Sequence, residues 1–450
     1  MDKLSVREKV SYSLGDFASC LIWQSISIYL LYFCTNVAGV DTASAVAIIS
    51  VSKIFDGISD IVMGFLVDRT RSKFGKVRPY LLYMSAPLAI ATILLFSVPA
   101  ALSVHAKLIW IFVCYNLVTT VFYTAMNVPY CSLHCFLTDD SKERSRLSIM
   151  RLIFAFVAQI LINGGLLTLV KWLGGSVTSK GGWTWTMVLV GAAAFGLAQV
   201  CFWNTKERIG QREKPAKVPL KDSLHSVFFN PFLIILLSVT LISMLPGGIT
   251  SGVSAYYAQY ILGKVEAVGW ITNASTAAQV LSLLFLTPFL LERFPKKQIY
   301  LTGLTLACLS FVGCSLVPRS LTALLILNFF KGIAFGITFP MLTAMIADAI
   351  DYSEWKWGVN SAGFSNAMNQ ALVKFGIGIA TALLGVILGA GGFDHALAVQ
   401  SEAAERALIA AYTYIPAIFY LLSMVMMLFY RLDKIYPQVA AELKKRREGR

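Results

Sequence analysis

Charge is scarce in this chain. Only 14% of its 450 residues are Asp, Glu, Lys or Arg, whereas 57% are hydrophobic. That balance excludes a soluble enzyme and fits a protein that crosses a membrane many times. Walker-type phosphate loops, dinucleotide fingerprints and catalytic-triad arrangements are also missing. Neither an enzyme nor a nucleotide-driven pump is therefore expected, and no cofactor. The eight cysteines are scattered, mostly along apolar runs, which excludes a disulfide framework. Cys131, His134 and Cys135 have helical spacing but no fourth ligand, so they read as packing residues and no metal site is expected. No cleavable leader is apparent, because MDKLSVREK is a short polar entry to an apolar run too long for a signal peptide.

Long apolar runs make up most of what is there. Twelve have spanning length, from 11–38 through 43–67 and 321–347 to 407–430. Unpaired backbone groups are prohibitive in lipid, so each run is expected to be a helix. The predicted fold class is an all-α membrane protein with twelve transmembrane helices. Six runs precede a polar, proline-containing stretch and six follow it. The chain accordingly divides into an N-terminal bundle (1–204), a cytoplasmic linker (205–230), a C-terminal bundle (231–434) and a basic cytoplasmic tail (435–450). A related acidic-to-basic turn occurs in both halves, DRTRSKFGKVRPY from Asp68 and ERFPKKQIY from Glu292. A two-fold repeat of this kind predicts a transporter with its site between the halves.

The net charge of +14 is not a nucleic-acid signal. Of the 38 lysines and arginines, 29 fall in segments that lie on one side if the helices alternate. The positive-inside rule puts both termini in the cytoplasm, in a cell membrane of the bacterial inner-membrane type. Anionic lipid is then the expected neighbour of the KKRR run at 444–447.

The costliest residues are Asp56 and Asp60, inside the run 43–67. A carboxylate at the bilayer centre costs about 2.5–3.5 kcal/mol on insertion scales. Their i, i+4 spacing puts both on one helix face, with Cβ atoms about 5–6 Å apart. Such a pair either shares a proton or holds a cation. The alternative is a packing ion pair through Lys53, three residues before Asp56.

The pattern GxxxDR at Gly64, Asp68 and Arg69 resembles the loop motif of the major facilitator superfamily. Longer matches narrow the resemblance: YSLGDF from Tyr12, FDGISDIVMG from Phe55, RSKFGKVRPY from Arg71, YTAMNVPYCSL from Tyr123, ERSRL from Glu143 and DAIDYSEWKWG from Asp348. Together they resemble the glycoside–pentoside–hexuronide:cation symporters, the melibiose-permease-like family, over about residues 8–436. The resemblance implies a major facilitator fold of two six-helix bundles. It also implies cation-coupled (H+ or Na+) symport of a sugar or glycoside into the cell by alternating access. The alternative cargo is an amphipathic molecule such as a lysolipid or a drug. The implied partners are the sugar, the coupling cation and membrane lipid, with a monomer as one admissible assembly and no nucleic acid.

Residue by residue, the resemblance assigns the coupling cation to Asp56, Ser59, Asp60 and Thr124, with Lys374 as an internal counter-ion. It assigns the sugar to Asp16, Cys20, Tyr123, Asn127, Tyr130, Cys131 and Arg151. Cys20, Asn127 and Cys131 replace two aspartates and a tryptophan of the family pattern, which argues against a galactoside-specific pocket. Ser59 replaces an asparagine that supports sodium binding, which shifts the expectation slightly toward protons. Asp16 is equally a packing partner for Arg151. Trp23, Tyr29, Tyr256 and Tyr257 are further stacking candidates. A cytoplasmic gate is expected from Asp68, Arg69, Arg144, Asp348, Asp351 and Glu354, with acidic residues pairing to Arg69, Arg78 or Arg144.

Overall fold

The computed structural model describes residues 4–70, 72–138, 141–208, 220–358, 362–395, 397 and 399–448, and among these every regular element is helical. Eleven described helices are long and apolar enough to cross a membrane. The helix Thr42–Arg69 is not among them, although at 28 residues it is long enough to span. It is also the helix that carries Lys53, Asp56 and Asp60. The expected twelve is thus met for eleven spans among the described residues.

Two compact units emerge from the contacts. The first comprises Met1–Glu213, Ser251–Asn273 and Thr381–Ala407. It contains α1 (Val6–Asn36), α2 (Thr42–Arg69), α3 (Arg78–Leu95), α4 (Val104–Asn116), α5 (Thr124–Leu137), α6 (Ser141–Gly174) and α7 (Lys180–Asn204). A π-helical segment, Leu117–Tyr123, joins α4 to α5 without a break. Helix starts follow local chemistry. Ser5, Asp41, Ser103 and Ser179 each accept a hydrogen bond from a backbone N–H three residues on, satisfying donors that the first turn leaves free. Trp183 of α7 is fully buried, stacked on Phe96 with centroids 5.6 Å apart and 5.4 Å from Phe33. Such ring pairs add about 0.5–1.5 kcal/mol each beyond their buried area.

Segments from late in the chain complete the first unit. At the end of α1 remote from its N-terminus, Thr35 shares a 2.8 Å hydrogen bond with Tyr256 and Asn36 donates to Gln259 at 2.9 Å. Ser251 donates to the Ser27 carbonyl at 3.0 Å, and Asn273 to the Ile160 carbonyl at 3.1 Å. Gly269 allows backbone-to-backbone approach there: an added Cβ would lie 2.5 Å from the Asn163 carbonyl oxygen and 2.7 Å from Gly164 Cα.

Thr205–Arg208, the start of the expected linker, is anchored in the first unit. Glu207 accepts three backbone N–H bonds, from Lys76 (2.8 Å), Val77 (2.9 Å) and Arg78 (3.0 Å), at the N-terminus of α3. Gly75 beside it has φ +105, and a Cβ there would collide with the Glu207 carboxylate. Arg208 closes a two-point pair with the buried Glu8, at 2.5 and 2.9 Å. Hydrogen bonds to a charged group contribute about 1.5–3 kcal/mol. Glu207→Ala is therefore expected to lower the thermal midpoint of the purified protein by several degrees; an unchanged midpoint would show that the cap contributes nothing.

The second unit comprises Lys214–Thr250, Ala274–Ala380 and Leu408–Arg450. The helices of the second half are α8 (Leu220–Phe228), α9 (Pro231–Tyr256), α10 (Ala267–Leu281), α11 (Thr287–Leu291), α12 (Lys296–Leu316), α13 (Leu321–Trp357), α14 (Ala362–Ala390), α15 (Glu402–Tyr412), α16 (Tyr414–Leu428) and α17 (Leu432–Glu448). Three depart from expectation. The run 407–430 is split at Thr413 into α15 and α16, because Pro416 cannot donate to the Tyr412 carbonyl and crowds it. The run 321–347 extends ten residues beyond its expected end: α13 continues through the segment from Asp348 to Trp357, where Gly358 with φ +68 ends it. The region assigned to a basic tail is largely α17, which buries Leu432, Val439 and Leu443 in the core shared with α13. Lys331, a cation inside an apolar run, lies over the rings of Phe311 (4.2 Å) and Tyr412 (4.4 Å).

Candidate functional site

The acidic face of α2 packs against the junction of α4, the π-helical segment and α5. Asp56 is 2% exposed and both its oxygens are engaged. Oδ2 accepts from Lys53 Nζ at 2.9 Å, and Oδ1 from Thr120 Oγ1 at 2.7 Å. The Lys53 ammonium also lies over Trp23 (4.6 Å) and Tyr115 (5.6 Å), inside cation–π range. One turn on, Asp60 is half-buried and accepts from Thr124 Oγ1 at 3.1 Å. Ser59 Oγ lies 2.9 Å from the Asp56 carbonyl and 3.3 Å from Thr124 Oγ1. Two carboxylates at i, i+4 thus face two threonine hydroxyls at i, i+4.

The register that allows this depends on the π-helical segment. Its wider turn rotates everything downstream, and Thr124 Oγ1 reaches back five residues to the Thr119 carbonyl at 3.2 Å. Asn116 supports the ladder from below, 3.2 Å from Thr120 and donating to Ser52 at 2.8 Å. Sequence reasoning named Thr124 but missed Thr120, Asn116 and Tyr115. The matched spacing of Thr120–Thr124 and Asp56–Asp60 was the available signal. Lys374 lies half-buried on α14 in the second unit, whereas Asp56, Ser59, Asp60 and Thr124 all belong to the first.

A second cluster surrounds Arg151 on α6. Its Nε is 3.3 Å from Asp16 Oδ2, yet among the described residues this buried nitrogen makes no hydrogen bond. Nη1 is 3.6 Å from Cys131 Sγ, which in turn is 3.9 Å from Asn127 Oδ1. Asp16, Cys20, Tyr123, Asn127, Cys131 and Arg151 are all partly accessible. Tyr123 packs against Trp23 with the rings tilted by 31° and centroids 5.1 Å apart. Tyr130 is fully buried, donates to the Tyr12 carbonyl at 2.7 Å and stacks on the Tyr12 ring at 5.1 Å, so it shapes the cluster from behind. Tyr29, Tyr256 and Tyr257 are buried away from it, with the Tyr29 and Tyr256 hydroxyls bonded to Asn163 and Thr35. A guanidinium with a spare N–H, a nearby carboxylate and adjoining rings can grip a polyhydroxylated ligand by edge and face. His134 Nδ1 is bonded to the Cys131 carbonyl at 2.8 Å, while the Cys135 side chain lies outside the described residues.

The expected gate residues are divided between the two units. The side chains of Asp68 and Arg144 are outside the described residues, and Arg69 is exposed. In the second unit, Asp348 is buried and grips Lys296 at 2.6 and 2.7 Å. Asp351 accepts from Tyr436 at 3.0 Å, and Glu354 is half-buried on the last turn of α13. Arg78, an expected acid partner, donates to the Phe202 carbonyl at 2.7 Å with its guanidinium over the Phe202 ring. On the first unit's polar end, Lys9 and Arg146 both pair with Glu143.

Comparison with known proteins places this geometry in a family. The isoprimeverose transporter of Lactiplantibacillus pentosus is 32% identical, over 98% of this chain and 91% of its own. The inner membrane symporter YicJ of Escherichia coli is 30% identical, over 93% and 90%. A solved bacterial homolog of the human lysosomal transporter Spinster, inward-facing and unoccupied, shares the fold at TM-score 0.68 and 16% identity, covering 95% of this chain and 99% of that one. Residues 11–434 match the family described as MFS/sugar transport protein. The chain belongs to that family, and is a multi-pass membrane transporter of the major facilitator fold rather than an enzyme.

Proposed function

We propose that this protein performs cation-coupled symport of a sugar or glycoside by alternating access. The observation that carries the reading is the carboxylate–hydroxyl ladder of Asp56 and Asp60 against Thr120 and Thr124, charge held inside apolar surroundings. Capture of H+ or Na+ on this ladder, with Ser59 close by, lowers the cost of the buried charge. The sugar occupies the cluster of Asp16, Asn127, Cys131 and Arg151, further along α5 and on α1 and α6 beside it. Each ligand then raises the affinity for the other, as linkage requires. Relatives named as an isoprimeverose transporter and as an inner membrane symporter support a carbohydrate cargo and symport. The excess of lysine and arginine on one side supports cytoplasmic termini, and bacterial relatives such as the inner membrane symporter YicJ support a bacterial inner membrane. The polar contacts joining Thr35, Asn36 and Ser27 to Tyr256, Gln259 and Ser251 form the seal on the side opposite the termini.

The test is a panel of radiolabelled glycosides, pentoses and uronides in proteoliposomes, each under an imposed pH or sodium gradient. At least one sugar should accumulate against its own gradient. A one-unit pH step sustains about tenfold accumulation at one proton per sugar, since about 1.4 kcal/mol is tenfold. Equilibration without accumulation for every sugar and both ions rejects the reading.

A further inference from the structure

The accessible stripe of α1 does not end at the Arg151 cluster. Asp16, Cys20 and Gln24 follow one another at i, i+4 and i+8, and all three are half-buried. Gln24 therefore stands about 12 Å along the helix from Asp16, on the same side. Trp23, packed against Tyr123, walls the stretch between them. At this level Gln24 Nε2 donates to Asn163 Oδ1 of α6 at 2.8 Å. Asn163 is 2% exposed and fixed from two further sides. Its carbonyl accepts from the Tyr29 hydroxyl at 2.6 Å, and Gly269 packs against that same carbonyl. The Gln24 amide is thus oriented, yet its second N–H and its carbonyl oxygen make no hydrogen bond among the described residues.

We propose that Gln24 is a specificity-determining residue: its amide, positioned by Asn163, hydrogen-bonds the distal ring of a two-ring glycoside whose first ring lies at Arg151, and so favours two rings over one. The inference rests on the sugar reading of the Arg151 cluster above. Amides inside a membrane bundle also serve as glue between helices. A pair that served only as glue would be closed on itself, whereas Gln24 keeps a free donor and a free acceptor on the accessible stripe of α1. Such groups in apolar surroundings are costly until a ligand or water meets them. An amide offers donor and acceptor together, which matches a hydroxyl, itself both donor and acceptor. Neither Gln24 nor Asn163 carries charge, so the pair suits a neutral, hydroxylated end of the cargo. A single ring held between Asp16 and Arg151 falls short of an amide two turns further on; a second ring covers that distance.

The experiment measures initial uptake against concentration in proteoliposomes for matched probes, each a two-ring sugar and the methyl glycoside of its first ring. The pairs are xylobiose with methyl β-xyloside, cellobiose with methyl β-glucoside, and an aldobiouronic acid with methyl β-glucuronide. In the pair that wild type transports best, KM should be about tenfold lower for the two-ring member, the scale of two neutral hydrogen bonds. Gln24→Ala should erase that advantage by raising the two-ring KM about tenfold, with little change in the one-ring KM or in either maximal rate. Asn163→Ala, which frees the Gln24 amide to turn, should raise the two-ring KM in the same selective way but by less. Uptake of the one-ring probe reads whether each variant is folded. If neither variant folds, the wild-type comparison decides alone. Equal wild-type KM values for one ring and two, or a Gln24→Ala variant that shifts both KM values equally or neither, would each overturn the inference and leave the sugar reading standing. If wild type takes up none of these probes, the sugar reading itself falls, and this inference with it.

Discussion

Asparagine in place of Asp60 abolishes uphill accumulation while leaving downhill exchange of sugar measurable. The side chains have the same shape, so Thr124 keeps a hydrogen-bonding partner at the position it now reaches at 3.1 Å. What disappears is the change of charge. An ionised carboxylate within the membrane costs about 2.5–3.5 kcal/mol, and ion capture relieves that cost only if the group can be charged in one state and neutral in the other. A permanently neutral amide at this position has no such difference, so ion and sugar lose their coupling. Accumulation should therefore fall to unity from about tenfold per tenfold gradient of the coupling ion, H+ or Na+, the tenfold corresponding to about 1.4 kcal/mol. Equal-concentration exchange, which needs no coupling, reads whether the variant still folds and binds. Wild-type accumulation by Asp60→Asn would remove Asp60 from the mechanism.

Asp56→Asn loses function for a different reason. Breaking a buried ion pair by removing one partner destabilises by about 3–5 kcal/mol, because the other charge remains buried. Here that charge is Lys53, which is 5% exposed. Loss of transport in this variant alone is thus no proof of ion binding, and its exchange activity should fall together with its accumulation.

Arg151→Gln should raise the KM for sugar by about 100-fold or more. Two hydrogen bonds from a charged donor, at about 1.5–3 kcal/mol each, set that scale. The guanidinium is already oriented, 3.3 Å from Asp16 and 3.6 Å from Cys131 Sγ, with its buried Nε making no hydrogen bond among the described residues. Arg151→Lys retains charge but not the planar fork, so it should recover only part of the loss. Initial uptake rates against sugar concentration give KM directly. A KM unchanged in Arg151→Gln would place the sugar elsewhere.

Much of this protein was legible before any coordinates. Helices in lipid follow from composition and run length, because the backbone has no other way to satisfy its polar groups. The caps at Ser5, Asp41, Ser103 and Ser179 act over three residues, so these helix starts are set by local chemistry. The acidic pair announced itself by cost alone. Less legible were features in which a local signal is outvoted. The stretch from Asp348 to Trp357 is polar enough to read as a loop, yet it stays helical because Asn230, Lys296 and Tyr436 supply it with partners. The terminal segment is basic enough to read as a tail, yet Val439 and Leu443 bury one of its faces.

By itself the sequence determined the helical membrane class, the family, and the residues whose charge is too expensive to be idle. Those are matters of composition and of contacts within a turn or two. Only the tertiary structure decided which donor meets which acceptor: Thr120 with Asp56 across 64 positions, Glu207 with the start of α3 across about 130, Asn273 with Ile160 across 113. Those pairings depend on helix rotation and register, which a single extra residue in a π-helical turn changes and which no local spacing rule records.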